Sequence, residues 1–306
     1  MNMPAIMNIP ITNHAPIRTW FGVGGGADRL AMPRDQQELE ACVRLDPALR
    51  VLGAGANLLV DDDGVAELVV SLESPAFQGV EWGPELVRVG AGADLPKLIV
   101  EAVRRGRAGL EGLGGIPATL GGALVMNAGG AFGQIADCVT RVYGVSREGT
   151  SVTIERSQID FGYRHSGLNE LILTGAELRL PPGDPVALRD RLKEVMAYKK
   201  SSQPMADNSA GCCFKNPTLA HSVKDATGDI GGPGQRVSAG MLIDRAGLKG
   251  LAVRGASVSP RHANFLVTAP GAKARDVIEL IELITRRVHD AFGVTLQPEV
   301  VIWRRS

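Results

Sequence analysis

The sequence has no hydrophobic run of the length needed to cross a membrane, although 44% of its 306 residues are hydrophobic. It also has no net charge, because 33 basic residues balance 33 acidic ones. No overall positive field would therefore attract nucleic acid or an anionic membrane. We expect a globular protein without nucleic-acid or membrane partners, in which any phosphate binding is local.

Cysteine is scarce, and its spacing excludes two common kinds of site. Two of the four cysteines, Cys212 and Cys213, are adjacent, which suits neither a disulfide framework nor a zinc ligand pair. We therefore predict no metal site and expect a reducing, cytoplasmic location. The N-terminal stretch 1–19 lacks a basic region and an unbroken apolar core, so no secretory signal is expected; it is interrupted by Pro4, Pro10 and Pro16.

Glycine, in contrast, is abundant and clustered. The 38 glycines concentrate at 22–26, 53–55, 112–133 and 228–234. Glycine lets backbone amides approach a ligand or adopt positive φ, so these clusters indicate ligand-binding loops, with ordinary tight turns as the alternative.

Hydrophobic periodicity predicts helices at 35–45, 95–105, 185–200 and 272–292. Asp35 and Glu38 are expected to form a capping box, while Gly106 and Gly293 follow two of the helices. Strands are predicted at 51–52, 68–72, 86–89, 139–145, 171–180, 265–268 and 300–303. Because helices and strands do not alternate regularly, the predicted fold class is α+β, with a boundary in the polar stretch 201–209.

Two glycine-rich segments are candidate cofactor loops. The segment 51–60 runs from an apolar strand into Gly53 and Gly55, but Leu58 stands where a Rossmann loop needs its third glycine, and 61–64 is predicted to be a turn. Such a loop can still present amides to a pyrophosphate. The segment 109–133 alternates small and apolar residues and could lie against a planar aromatic ligand, or be a tightly packed core loop.

Three further segments carry candidate catalytic side chains. Arg164 lies between aromatic residues and is a fixed cation that could stabilise an oxyanion, or an ordinary surface arginine. Cys212 is a thiol that could donate a proton, or a buried inert cysteine. Glu299 begins an apolar strand and is either functional or a solvated strand end.

In this order, the motifs resemble the UDP-N-acetylenolpyruvoylglucosamine reductase family, in its shorter subclass without an extra substrate-loop insertion. The resemblance extends over about 19–303. It is carried by Gly-x-Gly-x-Asn-Leu-Leu at 53–59, Gly-Ile-Pro at 115–117, Gly-Gly at 121–122, Met-Asn-Ala-Gly at 126–129, Gly-Tyr-Arg at 162–164, Ala-Gly-Cys-Cys-Phe-Lys-Asn-Pro at 210–217, Leu-Ile-Asp-Arg-Ala-Gly-Leu-Lys-Gly at 242–250, His-Ala-Asn-Phe at 262–265 and Pro-Glu-Val at 298–300.

The resemblance implies an FAD-binding half of the vanillyl-alcohol-oxidase type, made of two α+β lobes, and a C-terminal α+β substrate-binding lobe. The implied lobes are 1–72, joined by the C-terminal strand 294–306, then 73–202, and a substrate domain at 203–293. FAD is expected to be noncovalent, since neither loop has a histidine or cysteine at its core. The implied FAD-binding residues are Gly53, Gly55, Ala56, Asn57, Leu58, Ile116, Pro117, Gly121, Gly122 and Asn127.

The implied enzyme is an oxidoreductase of peptidoglycan synthesis, and hence of cell-wall biogenesis, cell shape and cell division. NADPH would reduce FAD, and UDP-N-acetylglucosamine enolpyruvate would become UDP-N-acetylmuramate. The family's catalytic arginine, proton donor and glutamate match Arg164, Cys212 and Glu299, with cysteine in place of the serine of many relatives. Relatives often carry a diphosphate-contacting lysine where Ser202 stands, so Lys199 or Lys200 is expected to substitute. The implied substrate-binding residues are Tyr163, Lys199, Lys200, Lys215 and Asn216, and a monomer is expected.

Two other functions remain open from the sequence. One is a flavin oxidase of the same fold that acts on a different alcohol or carbohydrate. The other is a catalytically inactive nucleotide-binding module, which would bind flavin or a UDP-sugar without reduction by NADPH.

Overall fold

The computed structural model describes residues 9–226 and 228–305, so part of the stretch in which no secretory signal is predicted, 1–8, lies outside the described residues. The chain forms two compact units. Among the described residues, the first unit comprises 9–15, 27–54 and 66–199, and the second comprises 16–26, 55–65 and 200–305. Within the described residues, no helix is long and apolar enough to cross a membrane. The three-lobe division stays a prediction.

The α-helices are α1 (Gln36–Leu45), α2 (Leu95–Arg104), α3 (Leu120–Val125), α4 (Pro185–Ser202), α5 (Ala239–Arg245) and α6 (Ala274–Phe292). The four predicted helices are confirmed as α1, α2, α4 and α6, with ends that differ by one or two residues. The short helices α3 and α5 were not predicted.

The ends of the helices follow from local sequence. Asp35 caps α1 by accepting a hydrogen bond from the Glu38 N–H at 2.9 Å. The reciprocal half of the predicted capping box is wrong, because the Glu38 carboxylate instead accepts from the N–H of Arg34 at 2.7 Å and from its guanidinium. Gly293 ends α6 in the left-handed conformation, with φ 65°.

The strands are β1 (Ile11–Ala15), β2 (Ala27–Ala31), β3 (Arg50–Leu52), β4 (Leu58–Val60), β5 (Val65–Ser71), β6 (Val80–Trp82), β7 (Leu86–Gly90), β8 (Gly129–Gly130), β9 (Gly133–Gln134), β10 (Val139–Val145), β11 (Ser151–Glu155), β12 (Ile172–Arg179), β13 (Val223–Asp225), β14 (Gly228–Gly231), β15 (Ala252–Val253), β16 (Ala256–Val258), β17 (Leu266–Thr268) and β18 (Val301–Trp303). Every predicted strand is confirmed, as β3, β5, β7, β10, β12, β17 and β18 in chain order.

The first unit is built on a sheet of order β11-β10-β12-β7-β6, in which all neighbours are antiparallel. A second sheet has the order β1-β2-β5-β3, and its β3 and β5 are parallel. Helices α1, α2 and α3 bury their apolar faces in the same hydrophobic core as these sheets. Ile116 and Ala118, in the loop before α3, pack against this core, and Ile116 is a predicted cofactor residue.

The second unit has its own hydrophobic core around α6. Buried residues recur along α6 at helical spacing, namely Val277, Leu280, Ile281, Ile284 and Val288. Its sheets are small: β13-β14, β15-β16-β17 and the parallel pair β18-β4. Residues 61–64 form the predicted turn, closed by a hydrogen bond from the Gly64 N–H to the Asp61 carbonyl at 2.9 Å.

Candidate functional site

Arg164 lies in a tight turn of the first unit. The Gly162 N–H donates to the His165 carbonyl at 2.9 Å, and the His165 N–H donates to the Gly162 carbonyl at 3.2 Å. Tyr163 and Arg164 are the two residues between them, and the Arg164 Cζ lies 5.3 Å from the centre of the Tyr163 ring. Arg164 has φ 52°, a conformation that side-chain-bearing residues seldom adopt outside constrained sites. The turn presents a half-buried guanidinium in one defined backbone geometry.

Lys199, near the end of α4, is the second cation of this region. Its aliphatic chain packs beside Gly115, where a methyl group would lie 3.1 Å from the lysine Cδ. Burial, and to a smaller degree the charge of Arg164, lowers the pKa of Lys199 from 10.5 to about 8. Lys200 is exposed and belongs to the second unit. Two neighbouring cations, Arg164 and Lys199, favour an anionic ligand.

The first unit also brings two predicted FAD-binding segments together. A methyl group on Gly53 would lie 2.9 Å from the Oγ1 of Thr119, which caps α3 with a hydrogen bond from the Gly122 N–H at 3.3 Å. Gly121 packs against Ala91, where a methyl group would lie 3.1 Å from the Ala91 Cβ. Ile116 and Pro117 are half-buried in the loop before α3. At Gly53 and Gly121, glycine therefore permits close packing between segments of the first unit.

Asn127 follows α3 and is buried, with 1% of its surface exposed. Its Oδ1 accepts from the Ala136 N–H at 3.2 Å, and its Nδ2 donates to the Gln134 Oε1 at 3.0 Å and to the Gly162 carbonyl at 2.8 Å. The side chain thus connects three segments of the first unit. Its predicted contact with FAD stays a prediction.

In the second unit, the loop 55–58 contacts the segment that contains Glu299. The Nδ2 of Asn57 donates to the Glu299 carbonyl at 3.0 Å, and the Val301 N–H donates to the Asn57 carbonyl at 3.0 Å. Leu58 has a buried side chain, and Gly55 has φ 64°. Within the described residues, the Gly55 and Ala56 amides donate to no protein acceptor.

The thiol pair lies beside the same segment. The Glu299 N–H donates to the Cys213 carbonyl at 2.7 Å, so Cys212 and Glu299 are on adjacent stretches of chain. Cys213 is fully buried, and burial, with smaller effects from the charges of Cys212 and Glu299, raises the pKa of its thiol to about 12. Of the four cysteines, Cys212 alone is partly exposed. Cys212 is therefore not the buried cysteine of the alternative interpretation, and its role as a proton donor stays a prediction.

Asn264 is a site residue to which the sequence assigned no role. Its Oδ1 accepts from the Phe214 N–H at 2.9 Å, and its Nδ2 donates to the Phe214 carbonyl at 2.9 Å. Its own carbonyl accepts from the Cys213 N–H at 2.8 Å. A buried asparagine thus holds the backbone that follows Cys212. Its place in the His-Ala-Asn-Phe motif was the available signal.

The two remaining predicted substrate residues follow Phe214 in the second unit. The Lys215 N–H donates to the Gln297 carbonyl at 2.9 Å, which adds a backbone contact to the stretch preceding Glu299. The Asn216 Oδ1 accepts from the N–H of Ala239, the first residue of α5, at 2.9 Å. The structure therefore groups Cys212, Lys215, Asn216 and Glu299 in one unit, and Tyr163, Arg164 and Lys199 in the other. The role of each stays a prediction.

Comparison with known proteins decides the family. The model of the UDP-N-acetylenolpyruvoylglucosamine reductase C-terminal domain matches residues 203–303, and an FAD binding domain model matches 27–155. The reductase of Desulfosudis oleivorans is 39% identical over 310 residues, covering 96% of this chain and 92% of the relative. The reductase of Bradyrhizobium sp. is 36% identical over 304 residues, covering 97% and 93%. The chain belongs to the UDP-N-acetylenolpyruvoylglucosamine reductase family.

A solved structure agrees with this assignment. The crystal structure of UDP-N-acetylenolpyruvylglucosamine reductase from Thermus caldophilus matches with a TM-score of 0.77 at 38% identity, over 96% of this chain and 98% of that one. The predicted family, the α+β fold class with an FAD-binding domain, and the assignment as an FAD-dependent oxidoreductase are confirmed. The glycine loops described above fit the FAD that this reductase family uses.

Proposed function

We propose that this reductase-family chain converts UDP-N-acetylglucosamine enolpyruvate to UDP-N-acetylmuramate, with NADPH as reductant, in the cytoplasm and as a monomer. One observation best supports the chemistry. The partly exposed Cys212 precedes Cys213, whose backbone carbonyl accepts a hydrogen bond from the Glu299 N–H. Reduction of the enolpyruvyl group needs a proton donor beside the substrate. The hydrogen bond between the two segments places the Cys212 thiol and the Glu299 carboxylate on adjacent stretches of chain, as this reaction requires.

When bound, FAD would supply the hydride chemistry that links NADPH to the terminal alkene carbon of the substrate. Gly53, Gly55, Ala56, Asn57, Leu58, Ile116, Pro117, Gly121, Gly122 and Asn127 are the residues proposed to hold it. The Gly55 and Ala56 amides, which donate to no protein acceptor within the described residues, are the proposed donors to a pyrophosphate.

The chain's own groups manage the charge that develops on the substrate. Arg164 stabilises negative charge at the carboxylate end of the enolpyruvyl group, and Glu299 helps to polarise and orient it. The Cys212 S–H bond then breaks, its proton goes to the carbon next to the carboxylate, and the thiolate regains a proton from solvent. Each of these three roles requires the named side chain to contact the substrate.

The remaining polar groups bind the UDP-sugar. Lys199 is proposed to contact the diphosphate, because it lies near Arg164 in a half-buried position. Lys200 is the weaker candidate because it is exposed. Tyr163, Lys215 and Asn216 are proposed as further substrate contacts.

Anaerobic flavin spectroscopy tests the proposal. The purified protein should be yellow, NADPH should bleach it, and UDP-N-acetylglucosamine enolpyruvate should restore the colour without oxygen. A flavin oxidase of the same fold would regain colour with oxygen but not with this substrate. An inactive nucleotide-binding module would not be bleached at all, and either result would reject the proposal.

A further inference from the structure

Two side chains connect the Arg164 turn to the chain around the end of α3. The Asn127 Nδ2 donates to the Gly162 carbonyl at 2.8 Å, and the Ser166 Oγ donates to the Val125 carbonyl at 2.8 Å. Gly162 is the first residue of the turn, and Ser166 is the residue after its last. The turn is therefore held on both sides by bonds to one short stretch of the first unit.

The side chains of Asn127 and Ser166 have little conformational freedom. Asn127 and Ser166 each have 1% of their surface exposed. Ser166 also accepts from the Leu168 N–H at 3.3 Å, and Asn127 bonds Gln134 and Ala136 as described. Because a buried polar group without its partner carries a desolvation penalty, these bonds fix one arrangement.

The backbone adopts an uncommon conformation at Asn127 and at Arg164, which lies two residues after the Gly162 carbonyl that Asn127 contacts. Asn127 has φ 43° and Arg164 has φ 52°; among the described non-glycine residues, positive φ is otherwise found at His14 and Arg254. Asparagine tolerates this region, but arginine adopts it at a cost. Such a conformation persists when surrounding contacts determine it, and here the Gly162 carbonyl accepts from both His165 and Asn127.

We propose that Asn127 and Ser166 are positioning residues that hold the Arg164 turn in the geometry used for reduction. The proposal rests on the role assigned to Arg164 in the proposed function. Asn127 acts through the Gly162 carbonyl, a role that requires no contact with FAD. Ser166 acts on the far side of the turn through the Val125 carbonyl.

The variants Asn127→Asp and Ser166→Ala test each contact separately. Asn127→Asp keeps an acceptor for the Ala136 N–H and removes the donor to Gly162, whereas Ser166→Ala removes the hydroxyl with a minimal change of volume. Asn169→Asp, an exposed change in the same segment, is the matched control. Hydrogen exchange of peptides that cover 160–168 measures the turn independently of activity.

We expect faster exchange at 160–168 in both variants and no change in the control. Turnover with the enolpyruvyl substrate should fall roughly tenfold, because a small displacement of a catalytic group is costly. In Ser166→Ala, bleaching of the flavin by NADPH should stay within about twofold, since that step does not use Arg164. Asn127 is also a proposed FAD contact, so Asn127→Asp is judged by hydrogen exchange and by turnover with the enolpyruvyl substrate. Unchanged exchange in both variants, or unchanged turnover in Ser166→Ala and Asn127→Asp alike, would overturn the inference.

A double-mutant cycle separates positioning from general damage. Arg164→Ala alone should lower turnover on the order of a hundredfold, and adding Ser166→Ala should lower it no further if Ser166 acts through Arg164. An equal further loss would show that Ser166 acts elsewhere and would reject the positioning role. Near-normal turnover of Arg164→Ala would instead reject the role of Arg164 in the proposed function, while the exchange data would still report on the turn.

Discussion

The side-chain amide of Asn57 donates a hydrogen bond to the backbone carbonyl of Glu299, 242 residues later in the chain, at 3.0 Å. The contact is reinforced by the Val301 N–H, which donates to the Asn57 carbonyl at 3.0 Å. A residue of a proposed FAD loop thus fixes the backbone of a proposed catalytic carboxylate within the second unit. Cofactor binding and the orientation of Glu299 are expected to depend on one another.

Removal of the Asn57 amide is expected to affect both stability and activity. Asn57→Ala should lower the free energy of unfolding by about 1 kcal/mol, the usual contribution of one such hydrogen bond, and should reduce turnover as Glu299 loses its support. Urea denaturation and steady-state kinetics measure the two effects. Asn169→Ala, an exposed asparagine in the first unit, should change neither quantity. Wild-type stability in Asn57→Ala would show that the Glu299 contact contributes nothing.

Asn264 should be among the residues most sensitive to substitution in the second unit. Asn264→Ala leaves both the N–H and the carbonyl of Phe214 buried without their partner, so the free energy of unfolding should fall by about 2 to 4 kcal/mol. Asn264→Asp keeps the acceptor and should cost less. Chemical denaturation of both variants checks the order, and equal stability of Asn264→Asp and Asn264→Ala would contradict it.

The sequence predicts the long elements of this fold because their signals are local. The helices α1, α2 and α6 bury residues at helical spacing, and Asp35 and Gly293 mark two of their ends. In contrast, α3 contains two glycines that weaken a helix, and it depends on tertiary bonds such as the one from the Gly121 N–H to the Ala91 carbonyl at 2.8 Å. Helix α5 likewise depends on the side chain of Asn216. Non-local contacts of this kind leave no periodic signal.

The candidate site likewise contains residues with a local sequence signal and residues whose roles depend on non-local contacts. Arg164, Cys212 and Glu299 are predicted from the resemblance of their motifs to those of the family, because residue type and local spacing alone left alternatives open for each. The choice between Lys199 and Lys200 depends on which one packs beside Gly115, which is a property of tertiary packing. Asn264 and Ser166 act on partners 50 and 41 residues away through hydrogen bonds, so sequence spacing could not assign their roles.

Alkylation should single out Cys212. It alone of the four cysteines is partly exposed, so iodoacetamide should label one thiol and inactivate the enzyme, and the enolpyruvyl substrate should slow the reaction. Cys212→Ser keeps a proton donor and should retain measurable turnover while resisting iodoacetamide. Mass spectrometry locates the label. Full activity after stoichiometric labelling of Cys212 would remove it from the mechanism.

The pH dependence of substrate binding should reveal Lys199. Its pKa is lowered to about 8, so it carries its charge below pH 8 and loses it as the pH rises through that value. If it binds the diphosphate, KM for the UDP-substrate should rise above about pH 8. Lys199→Gln should raise KM roughly tenfold at neutral pH, as expected for the loss of a charge-assisted hydrogen bond, and should abolish this pH dependence.

Two other lysines make this test specific. Lys193 lies on the same helix, is exposed and pairs with Asp190 at 3.0 Å, so Lys193→Gln should leave KM unchanged. Lys200→Gln distinguishes the two candidates, since an equal or larger rise in KM there would transfer the diphosphate contact to Lys200.

The pH dependence of stability supplies an independent check on the pKa of Lys199. Between pH 8 and 10.5 the unfolded chain keeps the Lys199 proton that the folded chain has released. The contribution of Lys199 to the free energy of unfolding therefore rises with pH across that window. Lys199→Gln should remove that increment, and identical stability profiles for the two proteins would mean that the pKa of Lys199 is not lowered.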